Sequence, residues 1–375
     1  MKKKLNILVC PLDWGLGHAT RDIPVIREFL RRGHNVIIAG NKDPVELLKC
    51  EFPNIEHLPF ANFHITYPKK GSMALHFLRM LPKILFYIRK EHRQLKNIIN
   101  KHKTDIVISD NRFGLWSKLA YSVFITHQVM IKMPKQLKFA EYFIYRINRF
   151  FIYKYDRCWI PDNKSLPYIA GDLSHKYPLN GKTSFVGLLS RFSNENIKLE
   201  NEFKKHFEIT AIVSGPEPER TRFEQLLLNQ MQKLNCCCLL VKGKPLEEPH
   251  RRKYGKVEVI SHLNTSDMRN AITNSTYIIS RAGYTTIMDL IALKRPAILF
   301  PTPGQTEQEY LAEYYSLRKM FVTMKQEEFN ITDAIARLSV YSSFYFNPEE
   351  NLLSKEIERV EKYLLSLLLT PNHSL

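Results

Sequence analysis

Short runs that are apolar at every position recur along this chain, separated by amphipathic helical stretches. A strand apolar at odd and even positions alike needs cover on both faces, which helices on either side of a parallel sheet provide. Such runs predict strands at residues 5–11, 35–39, 105–109 and 122–126. Residues 22–32 read as a helix with Ile23, Ile26, Phe29 and Leu30 on one face and Gly33 as its stop. The rhythm breaks between Val129 and Thr183, where a basic aromatic helix precedes a stretch rich in Pro, Asn, Gly and Ser. Residues 161–182 of that stretch read as the connection between domains. Alternation resumes with strands at 209–214, 236–241, 257–260, 277–280 and 297–301, and ends in an amphipathic helix over 348–369. The expected fold class is α/β, with two doubly wound, Rossmann-like domains at 1–160 and 184–345. A linker at 161–183 joins them and a C-terminal helical segment, 346–375, follows. Ligands in such sheets sit beyond the carboxyl ends of the strands, here in the cleft between the domains.

Of the 375 residues, 44% are hydrophobic and 25% charged, which excludes disordered and fibrous chains. The net charge of +18 is unevenly placed: residues 1–160 hold 28 Lys and Arg against 12 Asp and Glu, and the remainder is nearly neutral. An anionic surface or ligand is therefore expected at the first half. Residues 132–157 interleave Lys135, Lys138, Arg146, Arg149 and Lys154 with Phe139, Tyr142, Phe143 and Phe150, and residues 83–103 add more basic helix. That pattern suits an anionic membrane face, and equally a core helix whose lysines reach past it to water. Six cysteines without a C-x-x-C pair suit a reducing compartment. The apolar run after Met1-Lys2-Lys3-Lys4 is too short for a signal peptide, and no run is long enough to span a bilayer. The expected location is cytoplasmic, soluble or peripheral at the inner face of the plasma membrane.

Three segments carry chemistry. In Asp13-Trp14-Gly15-Leu16-Gly17-His18, Gly15 and Gly17 permit a tight turn at the acceptor side, and His18 stands at the mouth of the sheet as a candidate base. Thr20 replaces the third glycine of a dinucleotide fingerprint, and strand two ends without an acid, which disfavours NAD. Asp110 follows a strand expected beside the first, where a carboxylate would orient the His18 ring; a helix cap is the plainer alternative. His127 ends the next strand and faces the cleft. The third segment runs Ser280-Arg281-Ala282-Gly283-Tyr284-Thr285-Thr286 with Asp289 a turn later, then Gln305-Thr306-Glu307-Gln308. Gly283, Thr285 and Thr286 open a helix suited to phosphate, Asp289 can accept from ribose hydroxyls, and the amides suit sugar hydroxyls.

With these residues the chain resembles the GT-B glycosyltransferases, most closely the branch of the peptidoglycan lipid-linked N-acetylglucosaminyltransferase and the glucuronosyltransferase-like enzymes. The resemblance implies His18 as base and Asp110 as its support. It likewise implies Asp289 on the ribose, Gln308 with Gln305 and Arg281 on the donor, and the uracil against backbone near His262 and Leu263. It also implies two domains facing a cleft, with the C-terminal helix packing back on the first. The second glycine-rich loop departs, keeping only Gly215 before Pro216-Glu217-Pro218-Glu219-Arg220; Arg220 is the expected replacement charge for phosphate. The acceptor is accordingly expected to differ from the peptidoglycan intermediate, with lipid-linked and cell-envelope glycans both candidates.

No two aspartates stand two apart, so a D-x-D metal site is missing and no metal or other cofactor is expected. Gly181-Lys182-Thr183 ends like a P-loop, but Lys176 occupies the upstream glycine position. The reading is an inverting, metal-independent transfer of a hexose such as GlcNAc from a UDP-sugar to a hydroxyl. An epimerase or hydrolase of UDP-sugars is the enzyme alternative. A nucleic-acid-binding protein is disfavoured because no reader motif accompanies the charge.

Overall fold

The central strands are buried along nearly their whole length, as two-sided cover requires. The computed structural model describes residues 3–60, 73–193, 205–246, 250–339 and 346–369. Its first sheet contains β1 (Asn6–Cys10), β2 (Asn35–Gly40), β3 (Glu56–Pro59), β4 (Ile106–Asp110), β5 (Tyr121–Ile125), β6 (Arg157–Ile160) and β7 (Thr183–Phe185). Their order is β3-β2-β1-β4-β5-β6-β7, with every pair parallel.

The second sheet contains β8 (Phe207–Ile212), β9 (Cys238–Val241), β10 (Arg251–Tyr254), β11 (Val257–Ile260), β12 (Ser275–Arg281), β13 (Ile298–Phe300) and β14 (Val322–Thr323). The order is β10-β11-β9-β8-β12-β13-β14, and only β10 runs antiparallel. β10 is exposed throughout, and its Arg251, Arg252 and Lys253 put charge on the open edge. Each sheet is thus doubly wound, with its order reversing between β1 and β4 and between β8 and β12. The loops that leave these strands diverge there and open the binding positions.

Several boundaries differ from the sequence reading, among them β8 at Phe207–Ile212 rather than 209–214 and β12 at Ser275–Arg281 rather than 277–280. The first helix spans Leu16–Arg31 rather than starting at Asp22, which puts His18 in its first turn. β9 starts at Cys238, two residues late. Residues 161–183 run between β6 and β7 of one sheet, so they do not join the domains; the crossing comes after Phe185. Turn-forming residues mark an irregular path but do not tell an ordered loop from a linker. Here the loop is ordered by Asp162, fully buried, whose carboxylate accepts from the Ile169 and Ala170 amides at 2.6 and 3.0 Å and from Ser174 Oγ at 2.5 Å.

The last helix, Leu352–Leu369, returns to the first domain. Its Glu361 accepts from Arg32 at 3.1 Å and bonds His34 Nε2 at 2.9 Å, and its Glu356 accepts from Ser184 Oγ of β7 at 2.7 Å.

Asp162→Ala strands three backbone N–H groups, those of Asn163, Ile169 and Ala170, and is expected to cost on the order of 3 kcal/mol. Urea unfolding of the two proteins, with unchanged slope and a lower midpoint, checks it.

Candidate active site

Gly15 has φ 77° and ψ 163°, a conformation open to glycine, and from it the chain turns into helix Leu16–Arg31. Gly17 follows with little room for a side chain: a Cβ there would meet Thr285 Oγ1 of the other domain at 3.0 Å. Helical spacing brings His18, Arg21 and Asp22, at i, i+3 and i+4, onto the side facing β4. Because β1 and β4 are neighbours, Asp110 at the end of β4 meets them. His18 Nδ1 lies 2.9 Å from Asp110 Oδ1.

Arg21, whose position the sequence did not single out, is the hub. Its Nε donates to Asp110 Oδ2 at 2.6 Å, and its Nη2 pairs with Oδ1 of the same carboxylate. Its Nη1 lies 2.9 Å from His127 Nδ1. Arg21 and Asp110 are essentially without solvent exposure. Burial by itself would push the Asp110 carboxyl up, but Arg21 and His18 beside it bring it down to about 2. Asp22 is also fully buried, and neither of its oxygens has a hydrogen-bond partner. Burial and the neighbouring Asp110 push its pKa well above the usual carboxylate range.

His127 lies at the seam between the domains. Its ring stacks on Tyr284 with centroids 4.0 Å apart, and its Nε2 meets Glu307 Oε1 at 2.9 Å. Burial lowers the His127 pKa. Burial would raise Glu307, yet His127 and Arg21 hold it below the usual range. Two further contacts close the cleft, Thr285 Oγ1 to the Gly17 carbonyl at 3.1 Å and Thr306 Oγ1 to the Lys132 carbonyl at 2.7 Å.

On the donor side, Gly283 precedes helix Tyr284–Ala292, and no side chain caps the N–H groups of its first turn. Thr285 and Thr286 stand at that turn, half-buried. Asp289 accepts from Ser190 Oγ at 2.6 Å and lies 3.4 Å from Arg191 Nε, so its carboxylate is engaged by the chain's own crossing segment. Gln308 Oε1 accepts from the Thr302 amide at 2.9 Å, and its Nε2 donates to Gln305 Oε1 at 2.6 Å, which groups the two glutamines. Gly215, at φ 107°, turns the chain after β8, and Leu263 is a core residue whose side chain faces inward.

Two expected donor contacts lie elsewhere. Arg220 is nearly buried and spends its guanidinium on Glu217 and Glu224, each at 2.9 Å, and on the Lys242 carbonyl; glutamates at i−3 and i+4 on the same helical face neutralise it. Arg281 is wholly buried over the Phe223 ring, 3.9 Å from its centroid, and donates to the Glu219 and Pro301 carbonyls. It braces the two donor loops from beneath rather than facing a ligand.

Glu307, Tyr284, Ser190 and Arg191 were also not singled out. Arg21 and Asp22 had a signal, since two charges at i+3 and i+4 from His18 share its side of the helix. A helix start placed at Asp22 hid it.

His262 is largely buried, its Nδ1 has no partner, and burial with Arg191 nearby lowers its pKa from 6.5 to about 4. Between those values the unfolded chain binds the proton and the folded one does not. Stability therefore falls as pH drops from about 6.5 to about 4, by up to roughly 3 kcal/mol from this ring. Denaturation of His262→Gln across that window is expected to show a shallower loss than the parent.

Comparison with known proteins agrees with this architecture. Residues 223–362 match the glycosyltransferase family 28 C-terminal domain. A UDP-N-acetylglucosamine–N-acetylmuramyl-(pentapeptide) pyrophosphoryl-undecaprenol N-acetylglucosamine transferase of Clostridium botulinum is 25% identical over 86% of this chain and 87% of its own length. An uncharacterized glycosyltransferase of Methanosarcina acetivorans is 24% identical over 82% and 81%. Among solved structures, the spinosyn rhamnosyltransferase SpnG aligns with a TM-score of 0.60 at 12% identity, covering 96% of both chains. The calicheamicin glycosyltransferase CalG4 aligns at 0.59 and 13%, covering 97% of this chain and 95% of its own. The chain is a glycosyltransferase of the two-domain GT-B fold.

Proposed function

We propose that this enzyme moves a hexose, GlcNAc or a close relative, from a UDP-sugar to an acceptor hydroxyl with inversion and without a metal ion. The observation that carries the reading is His18 held 2.9 Å from Asp110 beside the uncapped first turn of helix Tyr284–Ala292. His18 takes the hydroxyl proton as the oxygen attacks the anomeric carbon. The bond from that carbon to the UDP oxygen breaks, and the helix N-terminus receives the developing phosphate charge. Asp289 serves the ribose and Gln305 and Gln308 the sugar, as the resemblance implies; His262 and Leu263 supply the uracil wall through their backbone. The metal-free reading rests on the missing D-x-D, so chelator is expected to leave turnover intact.

His18→Ala is expected to lower turnover by roughly 10²–10⁴-fold with little change in donor affinity. Asp289→Ala is expected to weaken UDP-sugar binding in calorimetry. Wild-type turnover from the first variant would remove His18 from the mechanism, and donor consumption without any acceptor would favour a hydrolase or epimerase.

The acceptor is read as lipid-linked, presented at the cytoplasmic face of the membrane. The relatives' names support it, and so does helix Ala140–Ile152, which has two apolar faces. Tyr145 and Ile152 pack inward, while Phe139 at its start and Phe143, Ile147 and Phe150 on its outer side are all more than half exposed. Arg146, Arg149 and Lys154 line the same surface as Phe150. Aromatic residues flanked by cations suit the headgroup region of an anionic bilayer. Among the described residues no helix is long and apolar enough to cross a membrane. The protein is expected to co-sediment with phosphatidylglycerol vesicles at low salt. Release should follow as the Debye length falls toward ~3 Å at 1 M, and phosphatidylcholine vesicles should bind poorly. Phe143→Ser should weaken the association.

A further inference from the structure

The cluster around Arg21 contains two imidazoles, and the chemistry of the groups between them determines where their protons sit. We propose that Arg21 is a positioning residue that fixes His18 and His127 in opposite tautomers, leaving Nε2 of His18 free to take a proton while Nε2 of His127 carries one. The inference rests on the reading of His18 as the base and adds the group that prepares it.

Guanidinium has five N–H donors and no acceptor. Arg21 Nη1 stands 2.9 Å from His127 Nδ1, so that nitrogen must offer its lone pair. The neutral His127 ring then carries its hydrogen on Nε2 and donates it to Glu307 Oε1 across the domain seam. On the other side, Arg21 engages both oxygens of Asp110. Asp110 is wholly buried beside a second buried carboxyl, Asp22, an environment in which a lone carboxylate would take up a proton. The bidentate guanidinium keeps it ionised, and an ionised carboxylate only accepts.

His18 Nδ1 lies 2.9 Å from Asp110 Oδ1 and 2.9 Å from Arg21 Nη2. Nη2 has one hydrogen on Oδ1 and a second directed toward Nδ1, but a lone pair on Nδ1 would face the negative, acceptor-only Oδ1 at 2.9 Å, and that repulsion places the hydrogen on Nδ1. The His18 lone pair is thereby left on Nε2, the nitrogen available to an acceptor hydroxyl. The groups facing this cluster are Asp22 on the same helix, Asp110 on β4, His127 after β5, Glu307 on helix Thr306–Leu317 and Tyr284 on helix Tyr284–Ala292. Of these, Arg21 alone touches Asp110 and both rings. It also links the base to closure of the domains, since Glu307 belongs to the donor half.

The test is nitrogen-15 NMR of the full chain labelled at histidine, in alkaline buffer where both rings are neutral, with His18→Gln and His127→Gln assigning the signals. The expected wild-type pattern is a protonated Nδ1 in His18 and a protonated Nε2 in His127. Arg21→Met should convert His18 to a mixture of tautomers, and Arg21→Lys should restore the wild-type pattern only in part. Identical tautomers in the two rings, or a pattern unchanged in Arg21→Met, overturns the proposal. If Arg21→Met does not fold, the wild-type spectrum and Arg21→Lys still decide it. The spectrum is read without substrate, so wild-type turnover in His18→Ala would sink the catalytic reading while leaving the tautomer assignment standing or falling on its own.

Discussion

Two-sided burial of the parallel strands is the constraint from which the rest follows. A strand buried on both faces takes few polar side chains along its length and must pair each of them, as Thr210 pairs with Ser275 at 2.6 Å, so ligand chemistry gathers at the strand ends. Parallel order puts the carboxyl ends of one sheet on one edge, and double winding opens that edge where loops diverge. Asp110 leaves β4 there and the His18 helix follows β1, while β12 delivers Gly283 to the corresponding edge of the second sheet.

The price of this arrangement is a dense set of buried charges at the seam. Arg21, Asp22, Asp110 and His127 are held away from water between the domains, with Glu307 partly exposed at the edge. Interaction among such groups is stronger than at a surface, and so is the penalty for leaving one unmatched. A closed seam of this kind is sensitive to exchange of partners. Asp289, for example, bonds Ser190 here, and a ribose must compete with that hydroxyl.

Much of the fold was legible because alternating strands and helices leave a strong periodic trace. Two doubly wound units, the amphipathic tail helix and the approach of Asp110 to His18 follow from it, whereas the return of that helix to the first domain came from the resemblance. What escaped has physical reasons. The loop at 161–183 has the composition of a linker, but its order comes from Asp162, whose partners Ile169, Ala170 and Ser174 carry no sequence mark. Arg220 and Arg281 look like phosphate ligands in one dimension, whereas the Glu217 and Glu224 carboxylates that neutralise Arg220 and the carbonyls that engage Arg281 come from neighbouring turns and loops. The contacts of His127 with Glu307 and of Thr285 with Gly17 span the two domains and are invisible to any local pattern.

The returning tail helix has a mechanical consequence. The chain crosses from the first domain to the second after Phe185 and comes back before Leu352, so two strands of backbone join the halves. They run side by side: a Cβ on Gly187 would meet the Glu349 carbonyl at 2.9 Å, and the Glu349 amide donates to Asn163 Oδ1 at 3.0 Å. Two tethers pinned together act as the pin of a door. Twisting or sliding the halves apart would break those contacts, so the paired crossings hold the register that sets Gly17 against Thr285.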